Sequence, residues 1–567
     1  MQYELLLDTL DKDSTAHAEE VLAVGANDAE AIAVDVSLVP DTENPYLLRA
    51  PDLWGTKMDR NIRLVDGKRE IPAIATYVSR GPQPGWVLRT DEVWGRPSAD
   101  LFPDSAALER RLSAVAGQAI DRLRREGPAS QASALYRAAF GGPPLRFTFP
   151  AHPQLPVDLS KGLSPDQRRA VPRLLCGPLT TLLGVPGAGK TATLATAIVH
   201  AALSGHRVVC VAPSDAATTV LTMAIMRAWA RVGTPSVRQL QRRDGQQLVS
   251  DRYRVITATT AMLLSRALLE TKRPDLLVID EASMIGPMLF VALLNYGARQ
   301  VVLAGDPLQL PPVVISSDHL GMLRKSALHW TGAEKRHSAR APSSTDTLLD
   351  GSHRVPAVVT KIVATGWPTA VRMRAVPRSP DPLPRSVPAP VTVLSTRALH
   401  NDGRRSHRQA LSVHTQLWVR LAERLDAEGE LAAGPLMVLT PYRTVRESIR
   451  AEARSWRSLH GRDLPLEAMT LHAAQGSTAR LVGLDLFPSL PYALLKDQFL
   501  GEERPGGDGA AALLVGITRA SVATIIACPW PMQHVPRNTA LGRLIYALPA
   551  DVPWLDTDTD LVGGLTR

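Results

Sequence analysis

The chain of 567 residues has few cysteines and no long apolar run. Its three cysteines, Cys176, Cys210 and Cys528, lie in apolar stretches without C-x-x-C spacing. This pattern predicts small buried thiols in a reducing compartment and excludes a disulfide framework or a zinc site. No stretch reaches the ~18 apolar residues of a membrane span, and the first residues, MQYELLLDTLDKD, are acidic where a secretory signal would be basic. The sequence therefore favours a cytoplasmic protein without a membrane partner.

Acidic side chains are also scarce outside the N-terminus. The formal net charge is +9, although residues 1–48 carry eleven Asp and Glu against one Lys, so the remainder is more basic still. A basic surface suits a polyanion such as nucleic acid, but a GC-rich coding genome would also produce an arginine-rich chain. No spaced set of Asp, Glu and Lys typical of a nuclease is found. The acidic segment could dock a protein partner, mask a basic channel or form a small ordered domain.

The first 150 residues divide into three predicted segments. An acidic N-terminal segment covers 1–50. A small β module covers 51–103, because IRLVDGKREI places Asp66 and Gly67 between alternating apolar residues, a hairpin signal, and GWVLRT follows a Pro/Gly-rich turn. A helical stalk covers 104–150, because apolar residues recur at steps of three and four over 108–123.

Two later segments, 151–340 and 341–550, alternate short β-branched runs with helical patterns, and a C-terminal tail covers 551–567. Such alternation is typical of a parallel α/β sheet. The Pro-rich connector VPRSPDPLPRSVPAPV separates the two series of strands. The predicted strands are 179–183, 208–211, 276–279 and 301–303 in the first segment, and 437–439, 469–471, 481–486, 513–516 and 524–527 in the second. The predicted fold is therefore α/β with two parallel sheets in tandem, preceded by the β module and the helical stalk.

The stretch LLGVPGAGKTAT follows an apolar strand and opens a predicted helix over 192–202. Its glycines, Gly184, Gly187 and Gly189, let the backbone fold around phosphates with its N–H groups pointing inward. The start of the following helix adds partial positive charge. Lys190 is expected to reach the terminal phosphates, and Thr191 is expected to ligate Mg²⁺. This pattern is a P-loop and predicts a nucleoside triphosphate site.

The stretch LLVIDEAS supplies two carboxylates at the end of a buried strand. Asp280 and Glu281 should emerge at the carboxyl edge of the sheet, beside the P-loop. We expect Asp280 to hold Mg²⁺ through water. Glu281 would polarise the water that attacks the γ-phosphate, because that water must lose a proton in the transition state.

The motifs, taken together, resemble those of superfamily 1 helicases in order and approximate spacing. They are LSPDQRRAV (163–171), the P-loop, VAPSDAATTVL (211–221), DEAS (280–283), VVLAGDPLQLPPV (301–313), LTPYRTV (439–445), TLHAAQGST (470–478) and LLVGITRAS (513–521). The chain looks closest to subclass B, the senataxin and nonsense-mediated-decay helicase group, because LTPYRTV precedes TLHAAQGST and the β module and stalk precede Gln167. TLHAAQGST itself is more similar to the corresponding motif of the RecD-like DNA helicases.

This resemblance implies two RecA-like domains with ATP and Mg²⁺ in the cleft between them and a single strand crossing both. It implies that Gln167 recognises adenine, that Gln309 senses the γ-phosphate, and that Arg519 is an arginine finger. In LLDGSHRVPAVV, Arg354 occupies the place of an arginine that faces the γ-phosphate. His353 stands where the group usually has a tyrosine that stacks on adenine.

The resemblance also suggests contacts to a nucleic acid strand. Short polar side chains at strand ends suit contacts with phosphate and sugar, although each could equally cap a turn. The candidates are Ser214, Thr259, Thr260, Thr470 and His472. The predicted function is an ATP-dependent helicase or translocase that moves 5′ to 3′ on single-stranded DNA, with RNA left open. The alternative is a nucleic-acid-stimulated ATPase that remodels or recruits a protein complex without strand separation. A monomer is favoured, and the apparent insertion at 488–510 has no assigned role.

Overall fold

The protein is described from a computed structural model. The described residues are 35–40, 47–50, 60–66, 69–78, 85–90, 93, 95–96, 98–103, 107–127, 135–136, 139, 154–239, 253–265, 273–312, 325–338, 345–367, 373–377, 381–396, 407–487, 500–501, 508–530 and 532–556. Most of the acidic N-terminal segment and of the 488–510 insertion, and all of the tail from 557, lie outside these ranges. No helix in the described part is long and apolar enough to cross a membrane.

A seven-stranded antiparallel sheet forms the β module. Its strands are β1 (Asp35–Ser37), β2 (Val39–Pro40), β3 (Leu47–Ala50), β4 (Arg60–Asp66), β5 (Arg69–Val78), β6 (Gly85–Thr90) and β7 (Ser98–Pro103), in the order β1-β7-β4-β5-β6-β3-β2. The predicted hairpin joins β4 to β5, and Asp66 pairs with Arg69, so Asp66 ends the strand instead of lying in the loop. The sheet also takes in β1 to β3, which lie before residue 51, where we placed the start of this module.

One long helix, α1 (Ala107–Glu126), corresponds to the predicted stalk. Its apolar residues at three- and four-residue spacing, such as Ala116, Ile120 and Leu123, are buried. They face the helix Pro287–Leu294 of the next domain. Arg122 adds a hydrogen bond of 3.2 Å from Nη1 to Oδ1 of Asn295. The helix is therefore packed along the first α/β domain.

The first α/β domain contains a parallel sheet in the order β10-β11-β9-β12-β13-β8-β14. Its strands are β8 (Leu179–Gly184), β9 (Val208–Ala212), β10 (Val237–Gln239), β11 (Val255–Thr259), β12 (Leu276–Ile279), β13 (Gln300–Gly305) and β14 (Asp346–Leu349). Its helices are α2 (Val157–Ser160), α3 (Pro165–Leu174), α4 (Lys190–Leu203), α5 (Asp215–Trp229), α6 (Thr260–Ser265), α7 (Pro287–Leu294), α8 (Ala327–Trp330) and α9 (Ala333–Ser338), with a 3₁₀ turn at Ala282–Met284. The strands are almost fully buried because helices cover both faces, which explains their continuous apolar runs.

Strand β14 extends this sheet past residue 340, where we placed the end of the first domain. It pairs with β8 in parallel, with Asp346 opposite Thr181. Asp346 accepts a hydrogen bond of 2.8 Å from the Thr181 hydroxyl, and its two carboxylate oxygens accept from Nε and Nη2 of Arg336. The chain therefore leaves the first sheet directly beside the P-loop strand. It then forms a two-stranded connection from β15 (Gly351–Ser352) and β16 (Arg374–Ala375).

The second α/β domain repeats the arrangement with a six-stranded parallel sheet in the order β19-β18-β20-β21-β17-β22. Its strands are β17 (Val391–Ser395), β18 (Leu436–Thr440), β19 (Leu466–Thr470), β20 (Ala479–Asp485), β21 (Ala520–Cys528) and β22 (Trp554–Asp556). Its helices are α10 (Ala357–Gly366), α11 (His407–Ala427), α12 (Arg443–His460), α13 (Gly509–Ile517) and α14 (Ala540–Ile545), with a 3₁₀ turn at Met532–His534. The predicted α/β class with two tandem parallel sheets is confirmed.

Two predictions on local structure are wrong. Residues 513–516 are not a strand but the middle of α13, which is buried on all sides. A helix without a polar face has the same continuous apolar pattern as a buried strand, so periodicity could not separate the two. Cys176 is exposed instead of buried, and its thiol donates to the backbone oxygen of Arg173 at the end of α3. Cys210 and Cys528 are buried, as expected.

Candidate active site

The P-loop connects β8 to α4 and depends on two left-handed glycines. Gly187 and Gly189 have φ angles of 75° and 81°, which disfavour any residue with a Cβ. A Cβ on Gly189 would also lie 2.2 Å from Nε2 of Gln167. Lys190 begins α4, and its Nζ donates to the backbone oxygen of Gly184 at 2.7 Å. The lysine is therefore held over the loop, at the end of the sheet where a phosphate would bind.

Gln167 lies against the P-loop because a capping box fixes the start of α3. Its Oε1 accepts a hydrogen bond of 2.9 Å from the backbone N–H of Ser164, and its backbone N–H donates to the Ser164 hydroxyl at 3.3 Å. Its Nε2 donates to the backbone oxygen of Ala188, also at 2.9 Å. Both ends of the amide are thus engaged with protein. Recognition of adenine by this side chain, which remains a prediction, would require one of these bonds to open.

Asp280 and Glu281 lie at the carboxyl end of β12, which is separated from the P-loop strand by β13 alone. Burial, and secondarily the charge of Glu281, raise the pKa of Asp280 to about 7, while Lys190 acts in the opposite direction. Oδ1 of Asp280 accepts the backbone N–H of Glu281 at 2.9 Å. This bond accompanies a left-handed backbone at Glu281, with φ of 52°. Oε2 of Glu281 is buried without a hydrogen-bond partner, so this oxygen can accept a proton or a hydrogen bond from a water molecule.

Gln309 follows β13 and completes the edge of the first sheet. Its Nε2 donates to Oδ2 of Asp306 at 3.0 Å, while its Oε1 is buried without a partner. Asp306 is fully buried, and its Oδ1 accepts the backbone N–H of Leu308 at 3.1 Å. Asp306 therefore holds the turn that presents Gln309. The sequence analysis did not single out Asp306, although it lies within GDPLQL.

The segment that contains His353 and Arg354 binds directly to the P-loop. The Ser352 hydroxyl donates to the backbone oxygen of Pro186 at 2.8 Å, and the backbone N–H of His353 donates to that of Gly187 at 2.9 Å. A Cβ on Gly187 would lie 2.6 Å from Cβ of Arg354. The glycine therefore permits this close approach as well as the turn. The His353 side chain is exposed, so its predicted stacking on adenine stays a prediction.

Arg354 and Arg519 bring two cations to the same cleft. Nη1 and Nη2 of Arg354 donate to the Thr478 hydroxyl at 2.7 Å and to the backbone oxygen of Thr518 at 2.8 Å. Burial and the nearby Arg519 lower the pKa of the Arg354 guanidinium to about 9, and Glu281 opposes this effect. Nε of Arg354 remains buried without a partner. An anion placed between these groups would relieve the repulsion between the two arginines.

Arg519 follows α13 and is almost fully buried, with 2% of its surface exposed. Its Nε donates to the backbone oxygen of Val515 at 3.1 Å, and its Nη1 donates to that of Ser477 at 3.3 Å. Burial lowers the pKa of its guanidinium, and Glu281 and Asp306 of the first domain act against this shift. An arginine from the second domain is therefore close enough to the first-domain carboxylates to be influenced by them.

The turn after β19 joins the two domains. Nε2 of Gln475 donates to the Ser283 hydroxyl at 3.4 Å, next to the carboxylate pair. A Cβ on Gly476 would lie 3.3 Å from Cβ of Ala217 and 3.8 Å from Oε1 of Glu281. Gln475 and Thr478 thus belong to the site, although the sequence analysis named only Thr470 and His472 from this motif. The pattern of TLHAAQGST could have indicated them, but not which of its polar residues turn toward the nucleotide.

The predicted strand contacts lie at the carboxyl edges of the two sheets, where three of the five cap a turn or helix through their hydroxyls. Ser214 caps α5 by accepting the backbone N–H of Ala217 at 3.2 Å, Thr259 accepts that of Met262 at 3.1 Å, and Thr470 accepts that of Ala473 at 3.3 Å. Thr260 is buried. Burial lowers the pKa of His472, which favours a neutral imidazole. The capping alternative is thus observed for three of them, and nucleic acid contact stays a prediction for all five.

The residues present fit a nucleoside triphosphate, because two left-handed glycines shape the P-loop turn and buried polar atoms on Glu281, Gln309 and Arg354 lack hydrogen-bond partners. The parallel sheets, the P-loop and the carboxylate pair form the arrangement that is typical of P-loop nucleoside triphosphatases.

Comparison with known proteins agrees with this class. Residues 162–331 match the family described as the AAA domain. The chain is 28% identical over 177 residues to the human DNA replication ATP-dependent helicase/nuclease DNA2. This match covers 28% of this chain and 17% of that protein. It is 30% identical over 181 residues to the human RNA helicase Mov10l1, covering 27% and 15%. The matched part spans less than a fifth of either relative.

A solved complex of S. cerevisiae Dbp5 with RNA and ADP BeF3 has a TM-score of 0.42 and 13% identity, over 71% of this chain and 94% of Dbp5. The relatives named as helicases agree with the resemblance that the motifs predict.

Proposed function

We propose that this protein is an ATP-dependent helicase or translocase that acts on single-stranded nucleic acid. One observation carries the proposal: Arg519 of the second domain and Arg354 of the connecting segment lie close enough to Glu281 for its charge to act against the lowering of their pKa values by burial, and Oε2 of Glu281 is buried without a hydrogen-bond partner. Such a site is complete only when the two domains approach each other. ATP binding and hydrolysis would therefore change the relation between the domains, which is what a motor requires.

The residues have distinct roles in the proposed reaction. Lys190 and the P-loop amides bind the phosphates of ATP, and Thr191 and Asp280 would hold Mg²⁺, which supplies neutralisation of the phosphate charge. Glu281 accepts the proton of the attacking water through Oε2. Arg354 and Arg519 stabilise negative charge on the transferred phosphoryl group with planar, fork-shaped donors. Gln309, oriented by Asp306, would sense whether the γ-phosphate is present.

The coupling to a strand runs through the turn after β19. Gln475 contacts Ser283, and Thr478 receives Arg354, so a change at the γ-phosphate reaches a turn that also carries Thr470 and His472. These two residues lie at the edge where the resemblance puts the strand. Alternating grip on the two domains would then produce directional steps.

The finer points of the proposal come from the motifs and the relatives. The resemblance to subclass B favours 5′ to 3′ movement, and a relative named for DNA replication favours DNA, while a relative named as an RNA helicase keeps RNA as a second substrate. We propose a monomer, since the nucleotide site is assembled within one chain. A protein partner of the acidic N-terminal segment is part of the same proposal.

Strand displacement on tailed duplexes tests this function. A labelled duplex with a 5′ single-stranded tail should be unwound in the presence of ATP and Mg²⁺, whereas a 3′-tailed or blunt duplex should not. The matched control is the same assay with Glu281→Gln. ATP hydrolysis that is stimulated by nucleic acid without displacement on either tail would contradict the helicase function and support an ATPase that remodels a protein complex.

A further inference from the structure

Helix α12 carries a row of arginines that has no role in the nucleotide site. Arg443, Arg446, Arg450, Arg454 and Arg457 recur at steps of three, four, four and three residues. At 3.6 residues per turn they fall within about 80° of the helix circumference and extend over roughly 21 Å. The opposite face, with Val445, Ile449 and Trp456, is buried in the second domain. We call the row of five the arginine stripe.

Helix stability does not account for the stripe. Arg443 and Arg446 stand in the first turn, where the helix dipole disfavours cations, and no acidic residue occupies that turn. Acidic partners are also few. Glu447 lies beside Arg446 and 3.8 Å from Arg450, and Asp463 lies 3.0 Å from Arg457. Within the described residues, neither Arg443 nor Arg454 makes a hydrogen bond or ion pair through its guanidinium.

An open cavity of about 210 Å³ lies between the stripe and the edge strand β19. Its apolar lining includes Ile449, Leu464 and Ala468, and its charged lining consists of Arg450, Arg454, Arg457 and one carboxylate, Asp463, which is paired with Arg457. Arg450 also donates to the backbone oxygen of Ala468 at 3.1 Å, which covers a carbonyl at the sheet edge. An apolar floor beside guanidinium groups suits a base or sugar next to a phosphate.

The stripe begins where the proposed strand path runs. Arg443 lies three residues after Thr440, the last residue of β18, and Thr440 is opposite Thr470 in the parallel ladder. From this edge the stripe runs down the flank of the second domain, away from the nucleotide. It is therefore continuous with the predicted contacts at Thr470 and His472, yet distinct from them.

We infer that the arginine stripe is a second nucleic-acid-binding surface, which holds the phosphate backbone of the strand where it continues beyond the cleft between the domains. Arginines at regular spacing suit a polymer with regularly spaced phosphates, because each fork can bind one phosphate without reading sequence. An acidic protein segment would present its charges irregularly and is the less fitting partner. The inference rests on the proposed function, since it extends the path of the same strand.

The test measures binding of a labelled poly(dT) oligonucleotide to the full chain at salt concentrations of roughly 50 to 200 mM. The variant is Arg443→Gln with Arg454→Gln, the two stripe residues whose guanidinium groups make no hydrogen bond or ion pair within the described residues. Each lost phosphate contact should reduce the salt slope of log K by about 0.7 and affinity at 0.1 M salt by about fivefold. The double variant should therefore bind about 25-fold more weakly, with ATP hydrolysis in the absence of nucleic acid unchanged. The matched control is Arg273→Gln with Arg299→Gln, which changes the net charge equally. These two residues lie at the amino ends of strands β12 and β13 in the first domain, so this variant should bind like wild type.

Four results would overturn the inference. Equal binding and equal salt slope for the stripe variant and wild type would show that the stripe does not bind nucleic acid, while leaving the proposed function intact. An equal loss in the control variant would show that only net charge matters. A stripe variant that keeps oligonucleotide binding but loses a poly-glutamate peptide would assign the stripe to an acidic protein partner. Failure of the wild-type chain itself to bind the oligonucleotide would overturn the proposed function together with this inference.

Discussion

Glu281 combines a left-handed backbone with a buried carboxylate oxygen that has no hydrogen-bond partner. Its backbone is left-handed, a conformation that costs a residue with a Cβ on the order of 1 kcal/mol or more. Its Oε2 is buried without a partner next to Arg354 and Arg519. A strained backbone that holds an unpaired carboxylate is explained if the carboxylate meets a water only when the site is occupied. These two features support the proposal that Glu281 is the general base.

Glu281→Gln tests this assignment. The amide keeps the shape of the side chain but cannot accept the proton of the attacking water, so turnover should fall by at least about 100-fold. Binding of a fluorescent ATP analogue should change little, because Glu281 makes no phosphate contact in the proposed site. Turnover equal to that of wild type would show that another group is the base.

Arg354 and His353 are adjacent but should differ in effect. Arg354→Ala removes a cation that faces the transferred phosphate in the proposed site, so kcat should fall by about 100-fold or more with a small change in nucleotide affinity. His353→Ala removes only a predicted stacking surface and should raise KM while leaving kcat nearly unchanged. Steady-state hydrolysis and nucleotide titration separate the two effects. The reverse pattern would contradict both assignments.

Individual residues were predictable where a local pattern requires a residue type. Lys190 and Glu281 stand out because the glycine turn and the strand end define their places. Ser352 and Gln475 did not, since their roles come from contacts with Pro186 and Ser283, 166 and 192 residues away along the chain. Separations of this kind leave no periodic signal in one sequence.

At the scale of elements, buried parallel strands were predicted well because continuous β-branched runs stand out from helical patterns. The predicted strand 276–279 coincides with β12, and 179–183 and 208–211 fall one residue short of β8 and β9. Helix α13 was missed because it is apolar on every side. Strand β14 was missed because its sequence, DTLL, begins with a buried aspartate, Asp346, whose carboxylate is satisfied by Thr181 and Arg336.

Strand β20 contains a glycine whose space is filled by a tryptophan of α11. A Cβ on Gly483 would lie 2.3 Å from the ring of Trp418, which is fully buried and donates through Nε1 to Oδ2 of Asp485 at 2.5 Å. The ring cannot retreat without breaking this bond. Gly483→Ala should therefore destabilise the second domain by about 1–3 kcal/mol.

Thermal unfolding measures this effect. The midpoint should fall by roughly 3–10 °C for Gly483→Ala. The matched control is Gly117→Ala in α1, where a Cβ would meet nothing within 4 Å. That change should raise stability by about 0.5–1 kcal/mol, because alanine favours a helix. Equal midpoints for wild type and Gly483→Ala would show that α11 can move away from the sheet.

At the scale of the whole molecule, the nucleotide site belongs to neither domain alone. The P-loop, Asp280 and Glu281 come from the first sheet, and Arg519 comes from the second. Ser352 ties the connecting segment to the P-loop, and Arg354 ties it to Thr478 of the second domain. The motif order in the sequence predicted this shared site, whereas the hydrogen bonds that join the halves became visible only in the folded chain. Strand binding at the sheet edges should therefore act on hydrolysis through the turn that holds Gln475 and Thr478.

The most direct measurement is the rate of ATP hydrolysis as single-stranded DNA or RNA is added to the full chain. We predict a slow basal rate that rises at least tenfold and saturates with single-stranded DNA, less with RNA, and that is abolished at every concentration in Glu281→Gln. A rate that does not respond to either nucleic acid would contradict a motor that couples ATP hydrolysis to movement on a strand.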